Sequence, residues 1–159
     1  LELNKGNIDK AKSYIEQAKR LTSKPSEAFA NEAFIALTNG NVQDAETSLS
    51  KAIDANGYNQ MAGVLSIAKG DYIQAEKYLE GINSNSSALA KLLNNNLQGA
   101  LSTLDSMKET SAITSYLHAI IAARNNNKFA TKSYLEEALQ KDPSLKSYAD
   151  NDLELSILR

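Results

Sequence analysis

The sequence predicts an all-α fold, a helical-repeat solenoid of antiparallel helix pairs, on three observations. A turn signal recurs at Gly6, Gly40, Gly70, Asn95 and Asn126, and each is followed by Asn or Asp: Asn7, Asn41, Asp71, Asn96 and Asn127. Five residues past each turn residue stands Ala11, Ala45, Ala75, Ala100 or Thr131, and the positions four and seven further on are small or apolar in every copy. The turn residues lie 34, 30, 25 and 31 residues apart, a period that holds two helices per unit and marks a solenoid. Each signal has a local cause. Glycine takes the left-handed conformation that ends a helix without a Cβ clash, and asparagine is the next-best residue there. The Asn or Asp that follows caps the next helix by accepting a backbone N–H. Offsets of four and seven put Ala45, Leu49 and Ala52 on one helix face, and two small residues there let a second helix come close.

Composition agrees and narrows the function. At 159 residues, 42% hydrophobic and 23% charged, the chain suits one folded domain. The net charge of −2, with both signs interspersed, leaves no basic footprint for nucleic acid or anionic membrane. The absence of cysteine excludes disulfides and thiolate zinc sites. No apolar run approaches the roughly 18 residues of a membrane span. Two prolines and few β-branched runs argue against a sheet.

Taken in order, Leu1–Asn4 reads as the tail of a helix, so the chain is expected to be cut near a repeat boundary from a longer one. Residues 1–22 form an orphan opening helix unit, with Ala11, Ile15 and Ala18 as the stripe of its helix from Ile8. Pro25 ends the following loop, because proline cannot continue a helix. Repeats are expected at 26–57, 58–84, 85–109 and 111–143. Ser26 to Thr38 carries Phe29, Ala33 and Ala36 on one face. Gly63 stands mid-helix, where it costs about 1 kcal/mol relative to alanine and predicts a close helix contact. Gly81 to Ser87 reads as a polar linker before a short helix over 88–93. Ser111 to Arg124 is a longer helix, apolar on several sides. Asp142-Pro143 stops the next one. Residues 144–159 are predicted as a closing amphipathic helix carrying Leu145, Tyr148, Leu153 and Ile157. Its outward Lys146, Asp150, Asp152 and Glu154 would supply the polar cap that a repeat stack needs.

The chain resembles the tetratricopeptide repeat, a 34-residue unit of two antiparallel helices. Gly40-Asn41-Val42 with Ala45, Leu49 and Ala52, and Gly70-Asp71-Tyr72 with Ala75 and Leu79, carry the resemblance. Gly63 falls where the family favours a small residue, and Ala138 to Pro143 resembles its repeat ending. Three features depart from the pattern. The unit around 85–107 is about nine residues short. Thr131 replaces alanine, and Lys128 before Phe129 suggests a one-residue slip. The large aromatic early in the first helix survives only as Phe29. The resemblance implies an all-α right-handed solenoid.

The resemblance further implies a concave groove lined by the first helices of successive repeats. Carried onto this chain, its positions are Asn31, Phe34 and Leu37; Met61, Val64 and Ile67; Leu89 and Leu92; and Tyr116, Ile120 and Arg124. That lining is mainly apolar, which predicts a non-enzymatic scaffold that binds a protein or peptide partner. The bland alternative is that these residues are core. A structural spacer in a larger cell-envelope protein, with no groove ligand, is the rival function. A subset of the family clamps C-terminal carboxylates. Asn31 suits such a clamp, but Gly57 and Met61 stand where cations are required. An Asn-, Ser- and Tyr-rich, cysteine-free composition resembles bacterial cell-envelope or periplasmic repeat proteins. Nothing predicts a cofactor, a metal or catalysis. His118 is the only histidine and lies on an apolar helix. Glu136 and Glu137 point in different directions. Asp150, Asp152 and Glu154 lack a loop with calcium-ligand spacing. Tyr72, Tyr78, Tyr134 and Tyr148 are expected to pack between helices.

Overall fold

A computed structural model describes residues 8–21, 26–52 and 58–159, which contain helices and no strand. The Gly6-Asn7 turn, the Pro25 loop and Gly57 lie outside the described residues. The chain divides into two compact units, Leu1–Leu79 and Glu80–Arg159, and the division falls inside the repeat expected at 58–84.

The first unit contains α1 (Ile8–Leu21), α2 (Ser26–Thr38), α3 (Val42–Ala52), α4 (Asn59–Ala68) and α5 (Tyr72–Tyr78). Helices α2 and α3 pack as one pair and α4 and α5 as another, with α4 also against α2 and α3. Alanine makes this possible. Ala30, Ala33 and Ala36 of α2 meet Ala45, Leu49 and Ala52 of α3 and Ala62 and Leu65 of α4 in one buried cluster. A second small cluster joins Ala11 and Ile15 of α1 to Ala28 and Ile35 of α2. The α1 stripe ends there, because Ala18 is exposed. Gly63 meets its expected contact: a Cβ there would collide with Leu79, which is fully buried.

The second unit contains α6 (Asn85–Leu93), α7 (Leu97–Asp105), α8 (Ala112–Arg124) and α9 (Lys128–Lys141). Its core gathers Ala88, Leu92, Ala100, Leu104, Leu117, Ala119, Ile120 and Ile121, with Ala149 and Leu155 from the last segment. The shortness of the third expected repeat is realised as two nine-residue helices. Helix α6 begins earlier than expected, at Asn85, because the Ser84 side chain caps it by accepting from the Ser87 N–H. No slip occurs at Thr131. It is fully buried in the alanine position, and its hydroxyl donates to the Asn127 carbonyl at 2.7 Å, which satisfies it inside the core.

Four of the five turns fall among the described residues and share one geometry. Gly40, Gly70, Asn95 and Asn126 have φ of +73°, +77°, +64° and +56°. The residue after each donates its N–H five residues back, to the carbonyls of Ala36, Ser66, Lys91 and Ala122, at 2.8–2.9 Å. This is the Schellman closure that satisfies the orphan carbonyls of a helix end. The same residues, Asn41, Asp71, Asn96 and Asn127, then accept the N–H three residues on, capping the next helix.

The closing helix is a correction. Residues 143–158 form a 3-10 turn (Pro143–Leu145), the short α10 (Lys146–Ala149) and a 3-10 segment (Leu153–Leu158). Asp142 and Asp152 each cap a new start, accepting from the N–H two residues on, and these local bonds compete with a continuous helix. Tyr148 and Leu153 are 71% and 80% exposed, while Ala149 and Leu155 are buried. The apolar stripe read at 145, 148, 153 and 157 is therefore not the buried one.

Candidate functional site

Helix α2 is buried on two sides, toward α1 and toward α3 and α4, which leaves a third side uncovered. On that side Asn31 is exposed, Phe34 is 40% exposed and Leu37 is half-buried. The neighbouring α4 buries Ala62, Gly63, Leu65 and Ser66, and carries Met61, Val64 and Ile67 half-buried. Leu37 and Met61 rest against the buried alanine cluster. Phe34, Val64 and Ile67 lie outside every buried cluster of the described residues, so α2 and α4 each keep apolar side chains at least partly exposed. Of the positions expected to line a groove, these are the ones in the first unit that stay at least partly exposed.

The positions expected in the second unit fare differently. Leu92 and Ile120 are corrections: they are 2% and 8% exposed within the core and offer no surface. Leu89 is half-buried against that core. Tyr116 and Arg124 are half-buried and already engaged. The Tyr116 hydroxyl donates to Asp152 Oδ2 at 2.8 Å. Arg124 Nε donates to Glu154 Oε2 at 3.0 Å, its Nη2 reaches Glu154 Oε1, and its Nη1 donates to the Leu92 carbonyl at 2.7 Å. Burial and the Asp152 hydrogen bond both push the Tyr116 phenol up, so it stays a donor at any ordinary pH. The Arg124 hydrogen bonds hold the Glu154 carboxyl below its usual range. Asp152 and Glu154, expected outward as a polar cap, therefore turn inward onto α8.

Sequence reasoning missed a cleft of mixed charge in the first unit. A cavity of about 520 Å³ lies among α1, α2 and α3, floored by Ile15, Ile35 and Ala36 and flanked by Lys12, Glu16, Lys19, Glu32 and Lys51. Lys19 Nζ donates to Glu32 Oε1 at 2.7 Å, and Ser48 donates to Glu32 Oε2 at 3.1 Å. Burial pushes the Glu32 carboxyl up, but these hydrogen bonds and the charges of Lys19 and Lys51 outweigh it and the net shift is downward. Lys19 and Lys51 also lie over the Phe29 ring, at 4.8 and 5.6 Å from its centroid. The signal in the sequence was the run of Lys12, Glu16 and Lys19 on one face of α1; which helices would flank it was not readable from that run.

The other residues weighed for chemistry have structural partners. His118 stacks on Tyr134 with centroids 4.9 Å apart, and Asp105 lies 3.9 Å from its Nε2. Its buried Nδ1 has no hydrogen-bond partner among the described residues. Asp150 pairs with Lys146, Glu136 with Lys132 and Glu137 with Lys141. Tyr72 is half-buried, whereas Tyr78 and Tyr148 are exposed rather than packed between helices. Among the described residues no group of three or more acidic, His or Cys side chains is placed to hold a metal ion. No described helix is long and apolar enough to cross a membrane.

A family model described as a tetratricopeptide repeat matches residues 1–25. No curated protein and no solved structure matches the chain. The family match supports the tetratricopeptide resemblance from the opening residues, and the helix pairs and Schellman turns from α2 to α9 repeat its unit downstream. Such repeats generally mediate protein–protein interaction.

Proposed function

Taking the chain as a tetratricopeptide-repeat protein, we propose that it is a non-enzymatic scaffold that binds a peptide or partner protein along the apolar side of α2 and α4. The observation that carries this reading is Phe34, 40% exposed on α2, a helix that packs on α4, with Leu37, Met61, Val64 and Ile67 of the two helices half-buried. An exposed aromatic beside partly covered aliphatics is the anchor that amphipathic helices and extended peptides use. A net charge of −2 and interspersed signs favour a protein partner over nucleic acid.

Peptide display against the purified chain tests the reading, with a Phe34→Asp, Val64→Asp variant as the counter-selection. Both sites are at least partly exposed, so the variant is expected to keep its helicity and cooperative melting. Enrichment of amphipathic or apolar peptides that bind the native chain and not the folded variant supports the α2–α4 side. Peptides that bind both equally place recognition elsewhere.

A further inference from the structure

The second unit carries its own occupant on α8. Tyr116, Ile120 and Arg124 are spaced by four and share one face of that helix. Asp152 accepts from Tyr116 at the first of these positions. Glu154 takes a two-pronged ion pair from Arg124 at the last. Between them Leu155 is buried to 2% exposure in the same cluster as Leu117 and Ile120. The Asp152 carboxylate serves twice, with Oδ2 on Tyr116 and Oδ1 on the Glu154 N–H, so it fixes the turn as well as the anchor. Arg159 then folds back to donate to the carbonyls of Asp150 and Asp152, both at 2.9 Å.

These contacts are those of a recognised peptide more than of a packed helix. The segment Leu153–Leu158 is a 3-10 stretch, a form with poor hydrogen-bond geometry. One side chain of it is buried, while Leu153 and Ser156 are exposed. The polar anchors are directional: a guanidinium presents a fork matched to one carboxylate, and a phenol presents a single proton to another. The segment also touches α9 and half-buries Ile157 and Leu158, but Leu155 is its one buried side chain; a segment with few buried apolar contacts is of the kind that opens locally before the helices beneath it.

We propose that the Tyr116–Ile120–Arg124 face of α8 is a recognition site for short peptides of the pattern acid–x–acid–Leu, and that Asp152-Leu153-Glu154-Leu155 is the chain's own ligand for it, displaced when a partner supplies the same pattern. This inference stands on the second unit alone and does not depend on the α2–α4 reading. While the segment is seated, the apparent affinity for an external peptide is reduced by the fraction of molecules in which it is open.

The test uses the full chain and a labelled peptide of residues 152–159, read by fluorescence polarisation. A Glu154→Ala, Leu155→Ala chain loosens the segment and leaves the face intact, so the peptide should bind it at least about tenfold more tightly than it binds the native chain. Adding Arg124→Ala should abolish that binding. A peptide with Asn and Gln in place of its two acids should bind at least about tenfold more weakly. In the native chain, backbone amides of 153–158 should exchange faster than those of α8 and α9 by hydrogen exchange. A loosened chain that melts cooperatively and does not bind the peptide overturns the proposal. So does one that loses the fold of the second unit, because the segment is then core. Binding that survives Arg124→Ala also overturns it.

Discussion

At the scale of single residues, Gly63 shows how a helix-weakening residue is kept. Alanine would gain about 1 kcal/mol of helix preference. Its Cβ, however, would strike the branch carbon and both methyls of Leu79, a side chain with no exposed surface. Forced overlap in a packed core costs about 1–3 kcal/mol, so the clash outweighs the propensity gain. Gly63→Ala is expected to lower stability by up to about 2 kcal/mol, seen as a lower urea midpoint at unchanged slope. Leu79→Ala alone should cost about 2–5 kcal/mol. In the double variant the new methyl partly fills the space left by Leu79, so the loss should fall short of the sum by more than about 0.5 kcal/mol. Strict additivity would show that the two residues do not act on each other.

At the scale of the element, the turns separate two roles that stand one residue apart. Asn126 needs only to tolerate φ of +56°, whereas Asn127 must present a side-chain oxygen to the Ala130 N–H. Asn126→Gly should therefore leave stability within a few tenths of a kcal/mol, and Asn126→Ala should cost about 1 kcal/mol. Asn127→Ala should cost about 1 kcal/mol by losing the cap. Thermal melts of the three variants decide it; equal losses at Asn126→Gly and Asn126→Ala would mean that backbone conformation is not what selects residue 126. This is also why the repeat turns were legible in the sequence: their cause is local, confined to two adjacent residues and the stripe that follows. The groove was not legible in the same way. Ile67 and Leu92 hold equivalent places, each three residues before its turn residue, yet Ile67 stays half-buried and Leu92 is core, because what covers a helix face is decided by elements far along the chain. Helix α8 makes the point most sharply. Tyr116 and Arg124 are among the positions the resemblance assigns to a groove, with core as the alternative, and Asp152 and Glu154 engage them. That segment was itself misread, since leucines at helical spacing hid the capping aspartates that interrupt it.

At the scale of the whole molecule, the imidazole of His118 and the carboxyls of Glu32, Glu137 and Glu154 are all shifted downward, and together they set how stability depends on pH from neutral into acid. His118 is half-buried against Tyr134. That burial lowers its pKa from the ordinary 6.5, and Lys141 adds to the effect while Asp105 and Glu137 oppose it. A group with a lowered folded-state pKa contributes stability that is fully present above its unfolded value and is lost as pH falls through the folded one. Stability should therefore begin to decline as pH drops below about 6.5. The carboxyls of Glu32, Glu137 and Glu154 follow. Each is held below the ordinary 4.5: Glu137 and Glu154 chiefly by hydrogen bonds from Lys141 and Arg124, Glu32 by Lys19 and Ser48 against the opposing effect of its burial. Their contribution is complete above about 4.5 and is lost below it, which predicts a second, steeper decline in acid. Urea midpoints measured from pH 7.5 to 3.5 resolve the two windows. His118→Phe keeps a ring against Tyr134 and removes the titration, so it should flatten the decline between pH 6.5 and 5 and leave the acid limb unchanged. If the upper decline persists in His118→Phe, another group controls it, and the imidazole is as well solvated in the fold as out of it.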